Sequence, residues 1–138
     1  MATGKSFTRN EKTTGKAIVC AFAASLIMKF FVLDFMIAEG NSMFPAIKPG
    51  SILPVCKVSY GLRIPLSQTY LFQWAIPKTG DVVVFYTPLG EVAVKRCGGN
   101  LNDGVFYAFG DNSSQSYDSR NYGPVPKGNI IGRVLGVK

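Results

Sequence analysis

Three segments of this 138-residue chain hold residue types that can do nucleophilic chemistry. The first is Asn41-Ser42-Met43-Phe44-Pro45, set between Gly40 and Pro49-Gly50. A serine at the end of an apolar strand, beside glycine and proline, can be held exposed on a stiff turn, although an ordinary turn serine has the same surroundings. The second is Val92-Ala93-Val94-Lys95-Arg96. Alternation puts Glu91, Ala93 and Lys95 on one strand face and Val92 and Val94 on the other. A solvated lysine at a strand end fits that pattern equally well. The third runs from Gly110 to Pro126 and is dense in hydroxyls, amides and paired charge, with Asp111, Ser116, Asp118 and Arg120 among them. Such a loop can buttress a site through side-chain hydrogen bonds.

The chain contains no histidine. That removes every Ser-His and Cys-His arrangement and every zinc site that uses histidine. A serine nucleophile here needs lysine, aspartate or glutamate as its base. Cys20, Cys56 and Cys97 form no CxxC motif, which argues against a metal knuckle or a thioredoxin-like centre. Cys20 lies in an apolar stretch, so only Cys56 and Cys97 could bridge outside a membrane; three small hydrophobes is the plainer reading. No metal or other cofactor is expected. The net charge is +7, but the basic residues are dispersed. The charge therefore reads as membrane orientation and surface solvation, with no nucleic-acid partner.

The elements that must position these residues follow from the apolar pattern. Residues 1–16 read as a polar, basic tail with Lys5, Arg9, Lys12 and Lys16 against Glu11. From Ala17 to Ala38 only Lys29 and Asp34 are charged. We expect an apolar helix from about Lys16 to about Leu33, a span for residues 17–33, and an extended segment from Asp34. Lys29 would snorkel to the far headgroups. The positive flank precedes the helix, which predicts a cytoplasmic N-terminus. A cleavable secretory leader is the rival for residues 1–30, but no clean small-x-small site follows the apolar stretch.

Residues 34–138 read as one β-rich domain. Strands are expected at Ser51–Val58, Asp81–Tyr86, Glu91–Cys97, Val105–Phe109 and Ile130–Val137. Turns are expected at Tyr60-Gly61, Pro77–Gly80, Pro88–Gly90, Gly98-Gly99-Asn100 and Asn102-Asp103-Gly104, with a long polar loop from Gly110 to Lys127. The fold class is mostly β, a compact antiparallel domain behind one N-terminal transmembrane helix.

In order, the motifs resemble those of the type I signal peptidases. That family shares a Gly-x-Ser-Met-x-Pro nucleophile box, a Gly-Asp-[Ile/Val]-Val-Val-Phe strand, a Lys-Arg box and a Gly-Asp-Asn…Ser-x-Asp-Ser-Arg-x-x-Gly-x-Val box. Their counterparts here are Gly40–Pro45, Gly80–Phe85, Lys95-Arg96 and Gly110–Pro126. The run from Val58 to Pro65 is similar to the Tyr-Gly turn of the proteobacterial enzymes, and Ala38–Ser42 is closer to the single-span Gram-positive type. The resemblance covers about residues 16–138.

It implies a membrane-bound serine endopeptidase with a Ser-Lys dyad. Ser42 would be the nucleophile and Lys95 its base. A free lysine has a pKa of about 10.4, so Lys95 must be desolvated. A drop of about three units costs roughly 4 kcal/mol, which the packing must supply. Ser116 matches the serine that orients the lysine. Asp118 and Arg120 match a supporting ion pair, and Asp111 matches an acid that could pair with Arg96. The Ser42 backbone N–H would hold the oxyanion. Gly40 stands where some relatives carry a second hydroxyl donor, so no side chain supplies it there. The implied substrates are exported preproteins, bound as an added strand with small residues at P1 and P3. The strand before Ser42 and the segment before Lys95 would wall the cleft, with Met43 as a lining residue. The implied setting is a bacterial plasma membrane, single-pass, with the catalytic domain outside.

Only fourteen residues separate Lys95 from Gly110, where relatives carry a longer insertion. That departure keeps open a specialised peptidase for conjugation or pilin-like substrates. A membrane-anchored peptide-binding β-domain without catalysis is a further alternative. A LexA-like self-cleaving protease shares the dyad, but the Asp118-Ser119-Arg120 box and the N-terminal span argue against it. Mitochondrial and thylakoid relatives also use Ser-Lys; the endoplasmic-reticulum type needs a histidine that is missing here.

Overall fold

The computed structural model describes residues 7–64, 67, 69–100 and 104–137. Pro65, and the turn expected at Asn102-Asp103, lie outside the described residues, as do residues 1–6 of the basic tail.

Helix α1 spans Phe7–Ile27 and continues as a π-helical turn, Met28–Val32. It starts earlier than Lys16, within the segment read as a polar tail. No proline occurs before Pro45 to stop it, and propagating an existing helix costs little. The helix gives way at Leu33, which is extended (φ −131°, ψ 136°). The stretch Lys12–Val32 is long and apolar enough to cross a bilayer, and none of it is buried against the rest of the protein.

The remainder is built on strands. They are β1 Leu33–Ile37, β2 Ile52–Cys56, β3 Gly61–Arg63, β4 Tyr70–Gln73 and β5 Val82–Tyr86. They continue with β6 Val92–Asn100, β7 Val105–Phe109, β8 Val125–Pro126 and β9 Ile130–Val134. Seven of them form one antiparallel sheet in the order β1-β2-β9-β5-β6-β7-β8. Strands β3 and β4 form a separate hairpin.

β5 reads Val-Val-Val-Phe-Tyr because both its faces are covered. Val82 and Val84 join Met43, Leu53, Val55 and Val134 in one core cluster. Val83 and Phe85 join Tyr60, Cys97, Phe106 and Ile130 in a second. A strand buried on both sides shows a continuous apolar run in place of alternation.

Four expectations need correction. Gly98-Gly99-Asn100 is no turn: β6 runs through it with a bulge between Cys97 and Gly99. The ring of Phe109 occupies the space where a side chain at Gly98 would stand, so glycine permits the strand to continue. Gly61 opens β3 and does not finish a turn, and the β3–β4 hairpin was not anticipated, because its apolar residues do not alternate. The Gly110–Lys127 stretch holds a 3₁₀ turn at Ser113–Gln115, the one-turn helix α2 at Ser119–Tyr122, and β8. The last strand ends at Val134 and lies inside the sheet between β2 and β5. All three cysteines are free.

Candidate active site

β1 and β6 stand apart in the sheet, separated by β2, β9 and β5. Yet both wall one groove of about 740 Å3, so the sheet curls until β1 faces β6. One wall is Phe35 to Gly40; the other is Glu91 to Lys95. β1 pairs with β2 alone, and β7 pairs with β6 only from Arg96 onward. Both walls therefore offer backbone edges without a neighbouring strand. Ser42 and Lys95 line this groove together.

Ser42 follows β1 at the start of a tight turn, in which Ile47 donates its backbone N–H to the Met43 carbonyl at 2.8 Å. Ala38 is tied to Ser51 and Gly50 by backbone bonds of 2.9 and 2.8 Å, which fix the strand end. Met43, 4% exposed, belongs to the core and also lines the groove. Among the described residues the Ser42 N–H donates to no other group.

Lys95 lies beside Val83 in the β5–β6 ladder and is 5% exposed. Among the described residues no carboxylate comes within ion-pair distance of its amine. Burial pushes the Lys95 pKa below the ordinary lysine value; Asp118 pulls it up and Arg120 pushes it down.

The third segment closes on both. Asn112 donates its backbone N–H to the Ser42 carbonyl at 2.9 Å. Gly110 sits where β7 passes Lys95, one step beyond the Arg96–Phe109 pair. A Cβ there would lie 2.6 Å from the Ser42 carbonyl oxygen and collide with the Ser116 side chain. Gly110 is thus packed against both Ser42 and Ser116.

Ser116 donates its hydroxyl to Asp118 at 2.6 Å. Its one hydrogen is committed, which leaves its lone pairs as acceptors. Asp118 is fully buried and caps α2, accepting from the Arg120 backbone N–H while Asn121 accepts from the Asp118 N–H. It also accepts from Gly110 N at 2.8 Å and pairs with the Arg120 guanidinium at 2.5 Å. Burial raises its pKa, but the bonds from Arg120, Gly110 and Ser116 outweigh that, and the net shift is well below the usual carboxylate range. Arg96 pairs with Asp111 through two bonds of 2.7 and 2.8 Å and reaches the Gly80 carbonyl at 2.9 Å.

Three features were missed in the sequence. Tyr117 and Leu89 rim the groove, and Gly110 is required by close packing. The Ser-x-Asp spacing was the available signal for the Ser116–Asp118 bond. Nothing local marks Leu89 or Tyr117, since the curl of the sheet brings them there.

A buried amine, a serine on a braced turn and two open strand edges suit acyl transfer from an extended peptide. Comparison with known proteins agrees in class. The family model "Signal peptidase, peptidase S26" matches residues 11–105 and 97–137. The "Probable signal peptidase I-1" of Synechocystis is 25% identical over 163 residues, covering 86% of this chain and 77% of that protein. The signal peptidase I of Bacillus amyloliquefaciens is 28% identical, with 86% and 80% covered. The signal peptidase I of Pseudomonas fluorescens is 36% identical over 88 residues, which is 62% of this chain but only 31% of that protein.

Proposed function

This chain belongs to the signal peptidase family, peptidase S26, and from that premise we propose that it removes N-terminal signal peptides from exported preproteins with Ser42 and Lys95. It is a serine endopeptidase, and Ser42 is read as its nucleophile. The neutral Lys95 amine takes the Ser42 proton as Oγ attacks the scissile carbonyl, and returns it to the leaving amine. Ser116 would be a positioning residue, its lone pairs available to the amine while Asp118 holds its hydrogen. The Ser42 N–H would receive the oxyanion. Water then repeats the cycle on the acyl-enzyme.

One observation carries this reading. Lys95 is nearly sealed from solvent, with no ion-pair partner among the described residues, in the same groove as Ser42. Burying an ammonium without an ion-pair partner is costly, which shifts the balance toward the neutral amine. The substrate would enter as a strand between the edges of β1 and β6, its alternate side chains turned toward Met43, Ala93 and Val94. Small residues at P1 and P3 fit walls so close to the backbone.

Residues 34–138 would form the catalytic domain, residues 17–33 the span and residues 1–16 a cytoplasmic tail. The setting would be the bacterial plasma membrane with the catalytic domain outside. Cleavage of a preprotein by wild type, Ser42→Ala and Lys95→Ala tests the dyad. Loss of about 10²–10⁴-fold in either variant is expected; equal activity in all three rejects it.

A further inference from the structure

We propose that the β3–β4 hairpin is a second membrane contact, seating in the lipid interface beside the apolar helix. The inference rests on the membrane-anchor reading above.

β4 and the three residues that follow it carry apolar side chains that the fold leaves bare. Leu71 is 54% exposed, Phe72 67%, Trp74 59% and Ile76 51%. Leu71 and Phe72 are neighbours on β4 and both are exposed, beside the bulge that sets Leu62 opposite Phe72 and Arg63 opposite Tyr70. Neighbouring surfaces of a water-facing hairpin would show polar residues on at least one side. Here four large apolar groups cluster within six residues, including the chain's only tryptophan.

Its position points to lipid as the occupant. Lys29, Phe30 and Phe31, at the end of the apolar helix, share a cavity of about 290 Å3 with Arg63, Ile64 and Ser67 of the hairpin. The loop end of the hairpin therefore lies beside the end of the helix. At the helix end Phe30 and Met28 are likewise exposed, 48% and 55%. Charge agrees. Residues 58–80 contain Arg63 and Lys78 and no aspartate or glutamate, so nothing on this segment repels anionic headgroups. A tryptophan flanked by aliphatic and aromatic residues suits the boundary between headgroups and chains. The loop end of the hairpin is tied to the body of the domain. Tyr70 donates its hydroxyl to the Ile130 carbonyl at 2.8 Å, and Arg63 donates to the same oxygen.

A single tryptophan makes the test direct. The full chain is reconstituted into vesicles of phosphatidylcholine and phosphatidylglycerol, with and without bromine on the acyl chains. Flotation reports the helix anchor; Trp74 fluorescence reports the hairpin. We expect blue-shifted emission, quenching by brominated lipid, and protection from iodide present on both sides. The double variant Leu71→Asp, Phe72→Asp should still float, yet lose the bromine quenching and gain iodide quenching. Floating wild type whose Trp74 is open to iodide and blind to bromine overturns the inference. Protection from both quenchers overturns it too, and assigns the surface to a protein partner or a second copy. Protein that fails to float removes the anchor reading, and the hairpin contact with it.

Discussion

The carbonyl oxygen of Ser42 accepts a hydrogen bond from the backbone N–H of Asn112 at 2.9 Å. The two residues lie seventy positions apart, so this bond clamps the turn that carries the hydroxyl to the loop that carries Ser116. The loop is itself pinned by the buried Asp118 carboxylate. Displacing the loop would move the nucleophile.

The first consequence concerns pH. Catalysis needs the neutral Lys95 amine, so kcat/KM rises as pH passes through its pKa. Burial lowers that pKa. The acid limb of the profile should therefore fall clearly below about 10.4, the ordinary lysine value. A limb at the ordinary value would show an amine in bulk water and would remove Lys95 as the base.

A second consequence concerns stability. Between the lowered native pKa of Lys95 and its unfolded value, the unfolded chain binds more protons, so wild-type stability rises with pH across that window. Lys95→Met removes the cost of an unpaired buried amine. Its melting temperature should exceed that of wild type at neutral pH. The gap should narrow toward about pH 10.4. Thermal melts at a series of pH values measure it, and a Lys95→Met protein less stable at every pH contradicts the account.

Asp118→Asn should weaken both fold and activity. Gly110 N–H, the Ser116 hydroxyl and Arg120 compete for one remaining acceptor oxygen, and a buried donor left unpaired costs about 1–3 kcal/mol. The Arg120 side chain is 41% exposed, so the ion pair itself adds little beyond that. The native pKa of Asp118 is depressed, so its contribution is full above the unfolded carboxylate value of about 3.9 and fades as pH falls through the native one. Urea midpoints of the two proteins should differ steadily near neutrality and converge in acid.

Gly110→Ala tests the packing of Gly110 against Ser42 and Ser116. The added methyl meets the Ser42 carbonyl oxygen at 2.6 Å, and backbone yields poorly. Overpacking of this kind costs about 1–3 kcal/mol. Displacing the reacting groups by about 1 Å can cost 10²-fold in rate. A variant folded by circular dichroism but impaired in kcat is expected; full activity would mean that the loop does not brace the serine.

Ser42, Lys95, Ser116, Asp118 and Arg120 were singled out in the sequence by the ordered match to the signal peptidase motifs, since locally Ser42 also fits an ordinary turn and Lys95 a solvated strand end. A missing histidine narrows the base to lysine or a carboxylate, and Gly-Asp-Asn with Ser-x-Asp-Ser-Arg concentrates polar groups in one loop. β5 and β7 were legible as well, from dense apolar runs bounded by turn residues. Only the folded chain decided what is long-range. The curl of the sheet sets β1 against β6, seals Lys95 to 5% exposure and brings Leu89 to the groove rim. It also turns Gly98-Gly99 into a bulge and leaves the β3–β4 hairpin bare. The physical reason is that side-chain type and spacing act within a few residues, whereas burial and a lowered lysine pKa depend on atoms brought together from distant parts of the chain.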